Sequence, residues 1–381
     1  MRTKIITTLL ITATMVLGFG VQGAQARPGR RNHGVCTSAK TGAVHCDAHV
    51  IEADGTTTPF VTSGPYGLSP SAMKSAYGWS TSMTAGAGKT IGIVGAYNAP
   101  TLASDLAVFS SKFGLPACTV ASGCLRRVNQ TGGSTLPASN AGWAFETSLD
   151  VEWAHAIAPG AHILVVEANG PTLNNLGPAI DYAKTQAQYV SMSWGASEYS
   201  GETAFDTHFS GSTANFFAAA GDGGLPAEYP SASPYVTSVG GTTLSGVGTT
   251  SLKETAWSNG GGGCSPYEPH FPGQANYPSF GQVKCATRAT PDVSADANPN
   301  SGAPIYDSTP YQNVSGWFLI GGTSLAAPMI AARAAVAGIA TYPRVIYGTS
   351  LRFRDITSGN NGAACLIGYD LCSGRGSWLG P

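Results

Sequence analysis

Charge is scarce in this chain. Only 11% of its 381 residues are Asp, Glu, Lys or Arg, against about 25% in ordinary soluble domains. Few ion pairs leave little stability to lose when acid protonates carboxylates, so the composition suits an acid habitat. Neither sign dominates, with 20 basic and 21 acidic residues, and no basic stripe points to nucleic acid. The apolar run at 5–18 is too short and wrongly flanked to span a bilayer, and no later run has the length, so no membrane association is expected. The C-x-x-C and H-x3-H spacings of a structural metal site are also missing, which argues against that reading of the eight cysteines. There is no internal repeat.

Glycine and proline are plentiful, at 50 and 24, and imply many turns and close backbone approaches. The length fits one large α/β domain with short appendages. Arg2 and Lys4, the apolar run that follows, and Ala24-Gln25-Ala26 have the form of a secretory signal peptide over residues 1–26. Its removal takes two basic residues and no acidic ones, leaving 18 and 21. Secretion and an extracellular setting follow as expectations. In an exported chain, eight cysteines read as disulfides. They fall into neighbours along the chain, Cys36 with Cys46, Cys118 with Cys124, Cys264 with Cys285, and Cys365 with Cys372. The sequence alone leaves about 105 connectivities open.

Residues 27–65 are polar and weakly patterned, a short N-terminal segment with the character of a remnant propeptide. Regular patterning begins near Tyr66. Strands are expected at 90–95, 162–166, 189–194, 215–220 and 236–239, and helices at 101–113, 143–158, 173–186 and 202–212. This alternation argues for a mainly parallel sheet covered by helices on both faces. In such sheets reactive residues gather beyond the carboxyl ends of the strands.

Three places carry candidate chemistry. In Gly321-Gly322-Thr323-Ser324-Leu325-Ala326-Ala327-Pro328 the glycines allow a tight turn and the small residues begin a helix. A serine there lies near free N–H groups and the positive end of the helix dipole; the plain alternative is a helix N-cap. Glu146 and Asp150 are four residues apart and so share a helix face. Two like carboxyls at that spacing hold a proton between them and can act as a base in acid, where histidine is already charged. A solvated acidic face is the alternative, but Trp143, Phe145, Leu149, Val151 and Trp153 make the surroundings apolar. Glu152 points elsewhere on the helix. Asp222, in Ala219-Ala220-Gly221-Asp222-Gly223-Gly224 after an apolar strand, donates a hydrogen bond only when protonated. Alone, it also reads as a turn.

The G-T-S-x-A-x-P string resembles the nucleophile motif of subtilisin-like and sedolisin-like peptidases. None of the seven histidines stands in an H-G-T-H-type motif, and Gly95-Ala96-Tyr97 stands where a subtilisin carries aspartate. The E-x-x-x-D-x-E helix followed by Ala158-Pro159-Gly160-Ala161 instead resembles the acid-bearing helix of the sedolisins. The resemblance covers about residues 66–381 and has the family order Glu146, Asp150, Asp222, Ser324. It departs at Gly321, where many members have serine, and in the shortness of the segment before residue 66.

The resemblance implies a subtilisin-like three-layer α/β sandwich and a secreted, monomeric serine-carboxyl peptidase acting on peptides or proteins. Glu146, oriented by Asp150, would activate Ser324; Asp222 would serve the oxyanion hole; Ser193, Trp194 and Gly195 would line the substrate cleft by strand addition. It also implies one structural calcium ion held by Asp355 and Asp370 and the carbonyls of Ile356, Leu366 and Gly368, an oxygen-only set that suits a hard cation. A catalytically silent binding protein and a serine esterase are the rivals. A pepsin-like mechanism lacks its D-T-G pair.

Overall fold

The computed structural model describes residues 30–36, 44–340 and 343–380; the expected signal peptide lies outside them. A ten-stranded sheet forms the middle of the molecule. Its strands run in the order Leu125–Asn129, His162–Ala168, Thr90–Ala96, Tyr189–Met192, Asn215–Ala219, Val236–Ser245, Val293–Asp296 and Ser377–Trp378, all parallel. Antiparallel edges are added by Lys253–Ala256 and Phe353–Arg354. Near-continuous Ile, Val, Ala and Phe in these strands follow from burial on both faces.

Two glycines of the Thr90–Ala96 strand show which helix covers which face. A side chain at Gly92 would meet Ala183 and Ala187, which belong to the helix Leu173–Gln186 and its cap. One at Gly95 would meet Trp143 and Thr147 of the helix Ala141–Ile157. Residues three apart in a strand face opposite ways, so the two helices flank the sheet. The expected three-layer sandwich is present. The helix Ala141–Ile157 also packs on the helix Thr323–Ala337 and is buried all round from Trp143 onward. Such a helix is core rather than surface, which takes Glu146 and Asp150 out of water.

The expected elements are largely found, with three differences. The strand at 189–194 is interrupted at Ser193, where Tyr189–Met192 leaves the central sheet and Trp194–Ser197 joins a small one. The helix at 202–212 is a shorter 3-10 turn, Glu202–His208. The N-terminal segment, weak in pattern, is built into the domain. Asn32–Gly34, His49–Ile51 and Val61–Thr62 extend the antiparallel hairpin Ala303–Tyr311 and Val314–Gly321, and His45–Cys46 pairs with Trp194–Ser197. Strands of two or three residues give little periodicity, and partners far along the chain supply their order. The four cysteine pairs are all neighbours: Cys36–Cys46, Cys118–Cys124, Cys264–Cys285 and Cys365–Cys372.

Candidate active site

Four elements converge beyond the carboxyl ends of the central strands, where the sheet order reverses around Thr90–Ala96. Ser193 follows the strand Tyr189–Met192, Asp222 follows Asn215–Ala219, Ser324 opens the helix Thr323–Ala337, and Glu146 and Asp150 come from the buried helix Ala141–Ile157. Gly322 precedes Ser324 with φ 96°, a conformation glycine adopts freely. Its missing side chain also matters for space: a Cβ there would lie 1.9 Å from the Asp47 carbonyl oxygen and 2.7 Å from Asp222 Oδ2.

Glu146, Asp150 and Ser324 are buried, and the Asp222 side chain is 6% exposed. Burial first, then the charge of Asp150, holds the Glu146 carboxyl well above the ordinary range, while the adjacent Ser324 hydroxyl pulls it down. Asp150 is likewise raised by burial, against the hydrogen bond it accepts from Ser193 Oγ at 2.5 Å. Neither Glu146 oxygen has a well-aligned hydrogen-bond donor among the described residues. The Ser324 hydroxyl instead donates to the Ser193 carbonyl at 3.1 Å. The serine and its acids are thus assembled, with the serine proton turned aside.

Asp222 is held by Thr323, whose N–H and Oγ–H both donate to Oδ1 at 2.8 Å. Burial, followed by the nearby Asp47, raises its carboxyl well above the usual range although the Thr323 bonds oppose this. Its Oδ2 lies 3.5 Å from His49 Nε2. Burial, then His33, lowers His49 to about 4, so its ring is neutral above that pH. With Nδ1 against Asn32 Oδ1 at 2.8 Å, the ring donates there and turns a lone pair toward Asp222. Burial, Asp47 and the His49 lone pair therefore favour a proton on Oδ2, against the two Thr323 bonds at Oδ1.

The expected cleft residues are occupied by the chain itself. Cys46 pairs with Trp194 and His45 with Gly195, antiparallel. Asp47 N–H donates to the Ser193 carbonyl, and the Asp47 carbonyl accepts from Ser324 N–H, each at 3.2 Å. A backbone strap thus lies across Ser324 as an added strand, its carbonyl directed at the helix N-terminus. The Asp47 side chain is buried too; burial first, then Glu228, raises it to about 6. Burial opposes a charge on His45, but Asp47 and Glu228 outweigh it and raise His45 to about 11.

Sequence reasoning missed the strap residues His45, Asp47 and His49, and also Glu228 and Thr323. One signal for the strap exists: Ala48 and Val50 alternate with Asp47 and His49, a period of two inside a segment otherwise read as unpatterned. The remaining histidines serve structure; His155, for one, bonds the Pro116 carbonyl.

The expected calcium ligands come together where residues 366–370 fold against Asp355. Gly368 N–H donates to Asp355 and Leu366 N–H to Asp370, each at 2.8 Å. Asp370 also accepts from Cys372 N–H and from the N–H and hydroxyl of Ser373. Asp355 Oδ2 and Asp370 Oδ2 each accept one amide N–H here and keep a second lone pair, so the donor set stays open to a hard cation.

A serine at a helix start, beneath buried carboxyls and beside a strand-like backbone groove, on a subtilisin-like sandwich, defines the subtilisin-like class of fold and site. The comparisons agree. The model of the subtilase family matches residues 133–348. Kumamolisin from Bacillus sp. (strain MN-32) is 32% identical over 280 residues, covering 62% of this chain and 49% of that protein. Sedolisin from Pseudomonas sp. (strain 101) is 35% identical over 175 residues, covering 39% and 27%. The solved structure of Pseudomonas sedolisin, a serine-carboxyl proteinase complexed with two molecules of pseudo-iodotyrostatin, superposes with a TM-score of 0.69 at 26% identity, covering 82% of this chain and 95% of that one. This chain belongs to the subtilase family, on its sedolisin branch. It spans about half the length of the kumamolisin it matches.

Proposed function

We propose that the protein is an acid-acting serine-carboxyl peptidase whose N-terminal strap sits in the cleft as a bound peptide would. The observation that carries this reading is the hydrogen bond from Ser324 N–H to the Asp47 carbonyl at 3.2 Å, made by a strap in strand register with Trp194 and Gly195.

Glu146 takes the proton of Ser324 as the hydroxyl turns from the Ser193 carbonyl, and the charge of Asp150 strengthens its hold on that proton. Ser324 Oγ attacks the peptide carbonyl. The oxyanion receives the Ser324 N–H and a proton-bearing Asp222, donors worth about 2.7–4 kcal/mol apiece in comparable sites. Collapse breaks the C–N bond, Glu146 returns its proton to the leaving amine, and water hydrolyses the acyl ester. In the strap itself the bond so placed is Asp47–Ala48. Its hydrolysis leaves a carboxylate on Asp47 and an amine on Ala48, and opens the cleft to peptide and protein substrates. Acid favours the scheme because Asp222 donates only when protonated.

Hydrolysis of denatured casein from pH 2 to 8, for wild type beside Ser324→Ala and Glu146→Gln, tests the reading. Activity confined to acid and lost in both variants is expected, with a fall of about 10⁴–10⁶ for Ser324→Ala. Turnover retained by Ser324→Ala refutes it. Secretion from the cell accords with the four disulfides.

A further inference from the structure

We propose that His45, Asp47 and Glu228 form a three-ligand site for a zinc-like divalent cation that staples the strap into the cleft; this rests on the strap reading above. His45 and Asp47 flank Cys46, so strand geometry puts both on one face of the strap. The register of His45 on Gly195 sets that face over Glu228, which comes from the strand Glu228–Tyr229 on the other side of Trp194–Ser197. Two glycines give the carboxylate room to rise. A Cβ on Gly195 would lie 2.5 Å from Glu228 Oε2, and one on Gly221 would lie 2.7 Å from its carboxyl carbon.

The distances suit a cation that takes the place of the His45 proton. His45 Nε2 is 3.3 Å from Asp47 Oδ1 and 3.5 Å from Glu228 Oε2, and all three ligand atoms lie within 4.8 Å of one another. Charge-assisted N–H···O bonds contract to about 2.7–2.9 Å. Nitrogen and oxygen ligands about 2.0–2.2 Å from a tetrahedral zinc stand roughly 3.4 Å apart. The second observation is Asp47 itself. It is 1% exposed, and neither oxygen accepts a hydrogen bond among the described residues; Glu228 Oε2 is buried without one as well. Mixed imidazole and carboxylate ligands suit zinc rather than calcium or magnesium. Two ligands come from the strap and one from the domain, so the ion crosslinks them across the cleft.

The test uses the full chain carrying Ser324→Ala, stripped with a chelator and titrated with zinc ion by calorimetry. One ion per chain and a raised melting temperature are expected. Adding Glu228→Gln, or separately His45→Gln, weakens binding by about tenfold or more, equivalent to about 1.4 kcal/mol. In the Ser324-bearing protein, zinc slows the appearance of the Ala48 N-terminus by intact mass. No zinc binding, or binding untouched by both substitutions, overturns the site. Cleavage at Asp47–Ala48 that proceeds regardless of zinc overturns the staple and leaves the peptidase reading standing; absence of that cleavage in zinc-free, Ser324-bearing protein counts against the strap reading as well.

Discussion

Asp292 and Glu146 are both buried, at 0% and 2% exposure. Their partners differ completely. Asp292 faces Arg288, whose two terminal nitrogens reach its two oxygens at 2.7 and 2.5 Å. Ser238 N–H and the Tyr347 hydroxyl donate to it as well. Among the described residues Glu146 faces Asp150, Asp47 and Asp222, has no cation against it, and has no well-aligned donor, the Ser324 hydroxyl being the group beside it. A buried carboxylate with a full set of donors is fixed in charge and position, and serves as scaffold. One surrounded by other carboxyls cannot keep its charge and must exchange protons. The first kind of environment holds the sheet to the loops of residues 271–292; the second is chemistry in waiting.

Removing a partner from each site breaks the comparison open. Arg288→Met strands the Asp292 charge in the interior, and loss of about 3–5 kcal/mol of stability is expected in urea unfolding. Glu146→Gln should do the reverse. It removes activity on casein yet leaves stability at pH 7 unchanged or raised, since it relieves repulsion among carboxyls. Comparable losses of stability in the two variants would erase the distinction. A smaller effect sharpens it within the cleft. Asp222→Ala should lower kcat by about 10²–10³ at pH 4, the usual cost of one oxyanion donor. Asp222→Asn keeps a donor at every pH. Its activity relative to wild type should therefore rise from pH 4 to pH 7, and a constant ratio would mean that Asp222 does not donate as a protonated acid.

The contrast also explains what could be read in the sequence. Long elements declared themselves by composition and period: the strand Thr90–Ala96 and the helix Leu173–Gln186 stand within a residue of their expected bounds. Glu146, Asp150, Asp222 and Ser324 were legible because each sits in a local string whose residues make the turn or helix it needs. Asp47 was not, since its place depends on pairing with Ser193 and Ser324, more than 140 residues away in the chain. Glu228 was hidden for the same reason; nothing beside it in sequence says that Gly195 and Gly221 clear its path. The break at Ser193 escaped notice because a chain leaving one sheet for another keeps the apolar pattern of a strand. In the calcium turn, residue types were legible, but the amide bonds that orient Asp355 and Asp370 depend on dihedral angles that side-chain identity leaves open.

The smallest expected effect concerns a second group of carboxyls without enough cations. Burial, with Glu198 adding, raises Glu202 to about 9, although its bond from Tyr199 N–H opposes this. Burial, then Asp206, raises Glu268 to about 8, with Arg288 opposing. Raised values mean that the folded chain keeps protons that the unfolded chain has released. Below about pH 4.5 both states are largely protonated and the full stability is present; from there to about pH 9 folding must hold extra protons, so stability falls as pH rises. The melting temperature of the Ser324→Ala protein, which cannot digest itself, should therefore be higher at pH 4 than at pH 8. Glu202→Gln should flatten that slope, because glutamine has no proton to lose, while Arg288→Met lowers stability at both pH values and steepens the slope by removing a cation that opposes the rise of Glu268. A melting temperature that climbs from pH 4 to pH 8 would show that these carboxyls ionise freely in the fold, and that unpaired burial in this protein is confined to the cleft.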